Sequence, residues 1–310
     1  MPSEPQKNSV RLNGSAEPIE FSVEGDLVRG TFYLPAGKTT DLPVVVFAHG
    51  WGMVAGGDLE DYAAVVVNAG FAALTFDFRN LGRSEGTPRQ EIDPHRQVED
   101  FRAAISYVRT RAEIDRERIG IWGSSYSGGH VLYVAAIDKR VKCAVAQVPT
   151  ISGFRAARRR ASGEKAVRMR LAFEADREAR FAGADPVTIR TVDKDPNAAV
   201  AYPGAESHDY MMGEAERCPG WVNEITLRSL ELARTYEPGA YIKRIAPSPL
   251  LMIVATDDAL TPSDLQQDAF NEAHHPKKLM LLPGGHYGVY REHFDKTSAA
   301  AAQWFAEHLL

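Results

Sequence analysis

The sequence predicts an α/β protein with a parallel sheet that is covered by helices on both faces. Between residues 42 and 150, short apolar runs alternate with segments of helical periodicity, in the order strand, helix, strand, helix, strand, helix, strand. The same alternation resumes after residue 245. Because each parallel connection needs a crossover, which is usually a helix, both stretches are expected to add strands to one sheet.

Composition and charge place the chain among ordinary globular proteins. Of its 310 residues, 44% are apolar and 25% are charged, which excludes a wholly disordered or fibrous chain. The net charge of −5 disfavours binding of nucleic acid or a membrane surface through a basic field. The two cysteines, Cys143 and Cys218, provide neither a disulfide framework nor a C-x-x-C metal pair.

The start of the chain indicates a cytoplasmic protein. Residues 1–17 are polar, are expected to form a tail, and lack the apolar region of a signal peptide. The longest apolar runs, VVVFA and LLMIVA, fall far short of the roughly 20 residues that span a bilayer. These runs have the length of buried parallel strands.

The first elements follow from local signals. Residues 18–26 and 27–35 are predicted to be two strands joined by a Gly-Asp hairpin turn. The apolar run at 42–50 is the next strand. Asp58 is the expected N-cap of the following helix, and Gly70 is its expected C-terminal stop.

The alternation then continues to residue 149. Residues 71–78 form a predicted strand, and Pro94 begins a helix at the position where its missing N–H costs nothing. Residues 118–123, 125–137 and 141–149 are the expected strand, helix and strand that follow.

Residues 154–245 interrupt this pattern, since they are rich in charge, helical in bias and free of any strand pattern. Strands are expected again at 248–257 and 277–285, and helices at 262–273 and 290–310. The block is therefore interpreted as an insertion between two strands of one sheet.

The segment after the strand at 118–123 contains the strongest functional motif. Gly123, Ser125 and Ser127 have the small–x–Ser–x–small spacing of a sharp strand-to-helix turn, which crowds the positions two residues from its apex. The apex side chain projects into a cleft beside a helix N-terminus that offers backbone donors. Ser125 is therefore the candidate nucleophile. Ser124 and Ser127 leave the register open, and a serine-rich helix N-cap is the alternative.

With this motif the chain resembles the α/β-hydrolase superfamily over residues 18–153 and 246–310. The resemblance implies an α/β-hydrolase fold with a mostly parallel, eight-stranded sheet, and a nucleophile, an acid and a histidine in this chain order. Asp258 occupies the acid position of the D-x-x-x-P pattern in VATDDALTP. The adjacent Asp257 is its rival, and a helix cap or an Asx turn is the alternative role. His286 occupies the histidine position in LLPGGHYGVY, after the last strand.

These residue types suit acyl transfer. A serine hydroxyl needs a neighbouring base, here His286, while Asp258 would orient the imidazole. The chain order differs from those of chymotrypsin and subtilisin. The resemblance implies an oxyanion hole formed by the backbone N–H groups of Tyr126, directly after the nucleophile, and of Trp51 in the HGWG turn.

Three other polar residues are interpreted as structural. His49 is expected to stabilise the HGWG turn. Asp77 and Arg79 lie in FDFRNLGRSEG, which resembles the D-x-R-x-x-G-x-S stretch of the superfamily.

In this superfamily an insertion at residues 154–245 often forms a helical cap that shapes the acyl pocket. Aromatic and sulfur-containing residues of this insertion are candidates for the pocket, or for the cap's own core. The expected substrate-binding set is Trp51, Tyr126, Tyr202, Tyr210, Met211 and Trp221, with Met212 as a further candidate. Residues 154–180 hold nine basic and four acidic side chains, a net charge of +5. This basic segment would bind an anionic substrate or partner, or else form a solvated helix face.

The sequence therefore predicts a serine hydrolase that cleaves a carboxylic ester, lactone or thioester through an acyl-enzyme. It would need no cofactor and no metal, and its expected partner is a small-molecule ester, not nucleic acid or a membrane; a homodimer is left open. Residues 221–255 resemble dienelactone hydrolases and polyketide transferases. Acyl transfer to another acceptor, cleavage of a C–C or amide bond, and ligand binding without turnover are the alternatives.

Overall fold

The computed structural model describes residues 10–37 and 39–310. The chain up to residue 147 forms β1 (Gly14–Val23), β2 (Asp26–Pro35), β3 (Leu42–Ala48), α1 (Asp58–Asn68), β4 (Ala72–Phe76), α2 (Pro94–Val108), β5 (Ile114–Ser124), α3 (Tyr126–Ile137) and β6 (Val141–Gln147).

The rest of the chain forms α4 (Gly153–Arg160), α5 (Gly163–Phe181), β7 (Thr188–Ile189), β8 (Val192–Asp193), β9 (Tyr202–Pro203), α6 (Ala205–Ala215), β10 (Ile225–Thr226), α7 (Leu227–Ala233), β11 (Leu250–Ala255), α8 (Ser263–Glu272), β12 (Lys277–Leu282) and α9 (Phe294–Leu309). Short 3₁₀ helices span Pro238–Arg244 and His286–Tyr290. None of the helices in the described residues is long and apolar enough to cross a bilayer.

One eight-stranded sheet organises the molecule, with the strand order β1-β2-β4-β3-β5-β6-β11-β12. β2 pairs antiparallel with both β1 and β4, and the other neighbouring strands pair in parallel. The predicted fold class, a mostly parallel eight-stranded sheet with helices on both faces, is therefore confirmed.

The central strands are buried on both faces, which explains why their sequences are continuously apolar. Val44 and Val46 of β3 point into the core shared with α2, α3 and α8. Val45 and Phe47 point into the opposite core, shared with α1 and α9. This two-sided packing holds the carboxyl ends of β3, β5, β6, β11 and β12 along one edge of the sheet.

The first hairpin differs from its prediction at both ends. β1 begins at Gly14, four residues before the expected start, and residues 1–9 of the expected tail lie outside the described residues. The exposed, polar side chains at the start of this edge strand conceal it from a hydropathy pattern. The turn consists of Glu24 and Gly25, both with positive φ, as in a type I′ hairpin.

Helix α1 is capped by Gly57 instead of the expected Asp58. A side chain at residue 57 would place its Cβ 2.2 Å from a Glu214 carboxylate oxygen, and the φ of 53° is one that residues with a side chain rarely adopt, so glycine suits this position. The Asp58 carboxylate is buried and accepts a hydrogen bond from the Tyr210 hydroxyl at 2.9 Å. Gly70, with a φ of 98°, follows the helix as expected.

The insertion contains α4 to α7 and four strands of two residues each. β7 pairs with β10, and β8 pairs with β9. Strands this short are below the length at which alternation of polar and apolar residues can be read, which is why no strand was predicted. Near the end of the chain, α9 begins at Phe294, four residues after the expected start of the last helix, and a 3₁₀ helix at His286–Tyr290 precedes it.

Candidate active site

Ser125 occupies the sharp turn between β5 and α3. Its backbone has a φ of 57° and a ψ of −116°, a strained conformation for any residue with a side chain. A Cβ on Gly123 would lie 2.3 Å from the carbonyl oxygen of Ser127, so the small residue two positions before the apex is a steric requirement. The Ser125 side chain makes no N-cap hydrogen bond, which leaves its hydroxyl for other partners.

The two neighbouring serines are engaged elsewhere. The Ser124 hydroxyl is buried and lies 2.5 Å from the Tyr290 hydroxyl. The Ser127 hydroxyl is also buried and donates to the His49 carbonyl at 2.5 Å. Neither of these two hydroxyls is directed at His286.

Ser125, His286 and Asp258 come together at the carboxyl edge of the sheet. The Nε2 atom of His286 lies 3.0 Å from the Ser125 hydroxyl oxygen. The Nδ1 atom of the same ring lies 2.7 Å from an Asp258 carboxylate oxygen, Oδ2. The imidazole and the carboxylate are both buried, whereas Ser125 is half-buried and faces a cavity.

The loop after β11 fixes the Asp258 carboxylate. Its Oδ1 atom accepts hydrogen bonds from the backbone N–H groups of Leu260 and Thr261, each at 2.9 Å. The Thr261 hydroxyl lies 2.7 Å from Oδ2. Burial acts to raise the pKa of Asp258, but His286 and the Thr261 hydrogen bonds outweigh it and lower that pKa below its ordinary value. The carboxylate is therefore ionised beside the imidazole.

Asp257 points away from the imidazole. It is exposed, and its carboxylate accepts hydrogen bonds from the Thr256 hydroxyl and the Gly284 N–H, both at 3.1 Å. The Asx turn, considered above as an alternative role, is formed by Asp258 itself. One oxygen of Asp258 closes the turn and the other faces His286.

The HGWG loop after β3 passes over Ser125. A Cβ on Gly50 would lie 3.3 Å from the Ser125 Cβ, so the two segments are in close contact. Gly50 to Met53 form a turn that is closed by a hydrogen bond from the Met53 N–H to the Gly50 carbonyl. That bond does not use the N–H of Trp51. The Tyr126 N–H is in the first turn of α3, where N–H groups have no partner within the helix.

Two side chains hold this loop in place. Ser127 contacts the carbonyl of His49, and the Trp221 indole N–H donates to the carbonyl of Gly52 at 2.7 Å. Burial lowers the pKa of His49, whose ring packs edge-on against Phe78 at 4.8 Å. His49 is thus a neutral, buried residue of the loop, in agreement with its structural interpretation.

Asp77 and Arg79 are also buried in structural networks. Asp77 accepts hydrogen bonds from the backbone N–H groups of Ala55, at 2.6 Å, and Arg83, at 2.9 Å. The Nε of Arg79 donates to Asp100 at 2.5 Å. Asp77 therefore connects the loop after β3 to the loop after β4, outside the reacting centre.

A cavity of about 340 Å³ opens beside Ser125 and His286. That volume lies in the range of small-molecule sites. Five of the six expected substrate-binding residues line it: Trp51, Tyr126, Tyr202, Tyr210 and Met211. Trp221 does not line it; its indole N–H donates to the Gly52 carbonyl. Met212 likewise lies outside the lining and is exposed.

A charged cluster that no sequence motif indicated lies on the cavity wall, where α6 meets α1. The Asp58 N–H donates to Glu214 at 3.0 Å, and Arg217 lies 3.2 Å from the same carboxylate. Burial and the nearby Glu214 raise the pKa of Asp58 to about 7, although Tyr210 and Arg217 act in the opposite direction. Asp58 and Glu214 are 156 residues apart, and no local pattern connects residues at that distance.

Thr261 and Ser127 were also missed as supporting residues. Thr261 immediately precedes the proline of the D-x-x-x-P pattern, and Ser127 is where the sequence departs from G-x-S-x-G. Both residues are visible in the sequence, but the groups that their hydroxyls contact are not.

Comparison with known proteins gives consistent results. The family model described as X-Pro dipeptidyl-peptidase (S15 family) matches residues 24–288. Thiohydrolase aneE of Aspergillus aculeatus is 31% identical over 277 residues, which cover 87% of this chain and 86% of that protein. Quorum-quenching protein AidA of Acinetobacter baumannii is 32% identical over 281 residues, which cover 88% of this chain and 89% of that protein.

Among solved structures, the α/β hydrolase GrgF from Penicillium sp. sh18 is similar, with a TM-score of 0.81 and 24% identity. The match covers 95% of this chain and 99% of that one. This likeness shows that the two chains share a fold.

Proposed function

This chain belongs to the X-Pro dipeptidyl-peptidase (S15) family. We propose that it is a serine hydrolase that acts on carboxylic esters, lactones or thioesters, with Ser125, His286 and Asp258 as its catalytic triad. One observation carries the proposal. A continuous line of hydrogen-bonding distances, 3.0 Å and then 2.7 Å, runs from the Ser125 hydroxyl through both nitrogens of His286 to the Asp258 carboxylate.

In the first step, the Ser125 oxygen attacks the substrate carbonyl while His286 Nε2 takes the hydroxyl proton. Asp258 holds the other nitrogen as N–H and stabilises the imidazolium that forms. The carbonyl oxygen becomes an oxyanion, for which we propose the Trp51 and Tyr126 N–H groups as donors. His286 then returns its proton to the departing alcohol or thiol, and the acyl group remains on Ser125.

In the second step, water replaces the alcohol or thiol. His286 takes a proton from water as its oxygen attacks the acyl carbonyl, and the bond to Ser125 breaks. The proton returns to the Ser125 oxygen, and a carboxylic acid leaves. Acyl transfer to an alcohol or amine, or cleavage of an amide, would share the acyl-enzyme and differ in the nucleophile or the leaving group.

We further propose that residues 154–245 form a cap over a core made of 18–153 and 246–310. Support comes from the lining of the cavity, since the core supplies Ser125 and His286, whereas the insertion supplies Tyr202 and Met211 among others. The cap would exclude water from the acyl pocket. A cytoplasmic location and a homodimer stay predictions.

A fluorophosphonate probe, which reacts with activated serines, tests the nucleophile. We expect Ser125→Ala to abolish labelling and hydrolysis while the fold remains intact by circular dichroism. Ser124→Ala is the matched control, because it removes the neighbouring hydroxyl, and it should still be labelled. Full labelling of Ser125→Ala would contradict the assignment.

A panel of esters, lactones, thioesters and X-Pro amides then tests the bond type. We expect turnover of esters or thioesters that depends on Ser125, with the free acid as product. An added alcohol or amine that captures most of the acyl group would instead favour an acyltransferase. Exclusive cleavage of the amides would contradict the ester assignment.

A further inference from the structure

The basic segment at residues 154–180 separates into paired and unpaired side chains. Five of its nine cations form ion pairs: Arg159 with Asp264, Arg168 with Glu164, Arg170 with Glu174, Arg177 with Glu231 and Arg180 with Asp176. These five fit the interpretation of a solvated helix face. For the other four, Arg155, Arg158, Arg160 and Lys165, no carboxylate of the described residues lies within ion-pair distance.

Two of the four unpaired cations line the cavity beside Ser125. Arg160 ends α4 and Lys165 is in the first turn of α5, and both are in the lining, whereas Arg155 and Arg158 are not. The Arg160 guanidinium lies 5.5 Å from the centre of the Tyr202 ring, which lines the same cavity. Unpaired positive charge is therefore present at the cavity itself, not only on the outer face of the insertion.

A third cation, Arg234, reaches the same cavity from the residue after α7. It is half-buried and packs over the Phe173 ring, 4.9 Å from its centre, and against the sulfur of Met169. Burial and the nearby Arg160 lower the pKa of Arg234, and only Glu231 acts in the opposite direction. Glu231 is already paired with Arg177, so it does not serve as a dedicated partner for Arg234.

Arg160 and Lys165 are exposed to solvent, and Arg160 also donates to the Leu260 carbonyl at 3.1 Å. The cost of uncompensated charge therefore falls mainly on Arg234, because repulsion from Arg160 adds to the cost of a half-buried guanidinium without an anionic acceptor. A bound anion would offset both effects. The acidic side chains elsewhere in the lining, Asp58 and Glu214, do not fill this role, because they face Tyr210 and Arg217.

We propose that Arg160, Lys165 and Arg234 bind an anionic group of the substrate, a carboxylate or a phosphate, at a distance from the bond that is cleaved. This inference rests on the proposed hydrolytic role of Ser125. It narrows the substrate to an ester or thioester that bears a negative charge on its acyl part or on its leaving group.

Two pairs of matched esters test the inference and distinguish the two positions of the charge. Mono(4-nitrophenyl) suberate and its ω-amide place a carboxylate or a neutral amide on the acyl part. 4-Carboxyphenyl pentanoate and 4-carbamoylphenyl pentanoate place the same groups on the leaving group. In at least one pair we expect kcat/KM to be about ten-fold higher for the anionic ester, as for one charge-assisted hydrogen bond. This ratio should fall as salt rises from about 0.01 M to 1 M.

Variants of the cations identify the site. The double variant Arg160→Gln and Arg234→Gln should bring the ratio close to one. The matched control is Arg155→Gln with Arg158→Gln. It removes the same number of positive charges, both from α4 and outside the cavity, and the ratio should not change. Arg234→Lys retains the charge and should keep most of the preference. If this variant keeps the preference, the loss in the double variant is due to charge. Thermal unfolding of each variant would show whether any of them has a folding defect.

The outcomes separate this inference from the proposed function. Hydrolysis that depends on Ser125 but shows a ratio near one in both pairs would overturn the anion site and leave the triad intact. An anion preference that Arg155→Gln with Arg158→Gln removes equally would also overturn it, because the effect would then be general charge. Absence of Ser125-dependent turnover for all four esters would overturn both proposals.

Discussion

The loops at the carboxyl edge of the sheet and the insertion at residues 154–245 line one cavity, but they are built in different ways. The loops belong to buried elements, and α3, which follows Ser125, is buried along most of its length. In the insertion, α5 buries only Phe173 and Asp176 and exposes many other side chains, several of them in ion pairs. Its Lys165 and Met169 line the cavity.

This difference shows which part of the site requires precisely positioned atoms. Reacting atoms must be held at fixed distances, and a strained backbone at Ser125 persists only where the surroundings are rigid. The side of the cavity that contacts the rest of the substrate tolerates more variation in the positions of its atoms. Substitutions from the sheet edge toward the insertion can weaken these contacts one at a time.

The largest effect is expected at the carboxylate behind the imidazole. Asp258→Asn should reduce kcat by about 10⁴-fold, because an amide no longer stabilises the imidazolium or selects its tautomer. Steady-state hydrolysis of a 4-nitrophenyl ester measures this loss. Asp257→Asn is the adjacent control, and only a small change is expected from this exposed residue. If the control lost as much activity as Asp258→Asn, the acid would be misassigned.

A smaller loss is expected from the HGWG loop. Gly52, with a φ of 65°, follows Trp51 in the turn, which leaves residue 51 at a position that proline favours. Trp51→Pro removes the N–H but suits the turn, and it should reduce kcat by about 10²–10³-fold. Trp51→Phe keeps both the N–H and an aromatic ring and is the control. Equal rates for these two variants would exclude this N–H as an oxyanion donor.

The smallest effect concerns stability at the contact between α1 and α6. The pKa of Asp58 is raised to about 7 in the folded protein, so the folded state holds more protons than the unfolded state between the ordinary pKa of Asp and about 7. The contribution of Asp58 to stability therefore falls as pH rises through this window.

Asp58→Asn removes this dependence. The Tm of the variant relative to the native protein should increase by about 2–4 °C between pH 5 and pH 8. Differential scanning calorimetry at the two pH values measures the change. Asp209→Asn, at an exposed acid on α6, the helix that contacts Asp58 of α1, should show no such gain. If the Tm difference between Asp58→Asn and the native protein were the same at pH 5 and pH 8, the raised pKa of Asp58 would be contradicted.

Much of the architecture could be predicted because it depends on local patterns. The apolar runs of β3, β6 and β11 and the helix begun by Pro94 identified the sheet and its crossovers. The chain's family and its hydrolase class followed from the resemblance and are confirmed. The errors lie where the pattern is weak, at the polar edge strand β1 and at the cap of α1, where Gly57 replaces Asp58.

Trp221 shows the limit of composition as a guide to a pocket. Its residue type was compatible with the pocket and with the cap's own core, and the structure places its indole N–H on the Gly52 carbonyl. A buried donor needs an acceptor, and which acceptor it meets depends on residues far away in sequence.

The sequence by itself determined the strand-to-helix turn at Ser125, because steric crowding acts between residues two positions apart. The resemblance to the α/β-hydrolase superfamily then narrowed the acid to Asp258 or Asp257 and the base to His286. Only the tertiary structure decided that Asp258 instead of Asp257 faces the imidazole, that Ser127 anchors His49, and that three of the many cations reach the cavity. These outcomes depend on side-chain direction and on contacts between distant segments, which packing sets and sequence spacing does not.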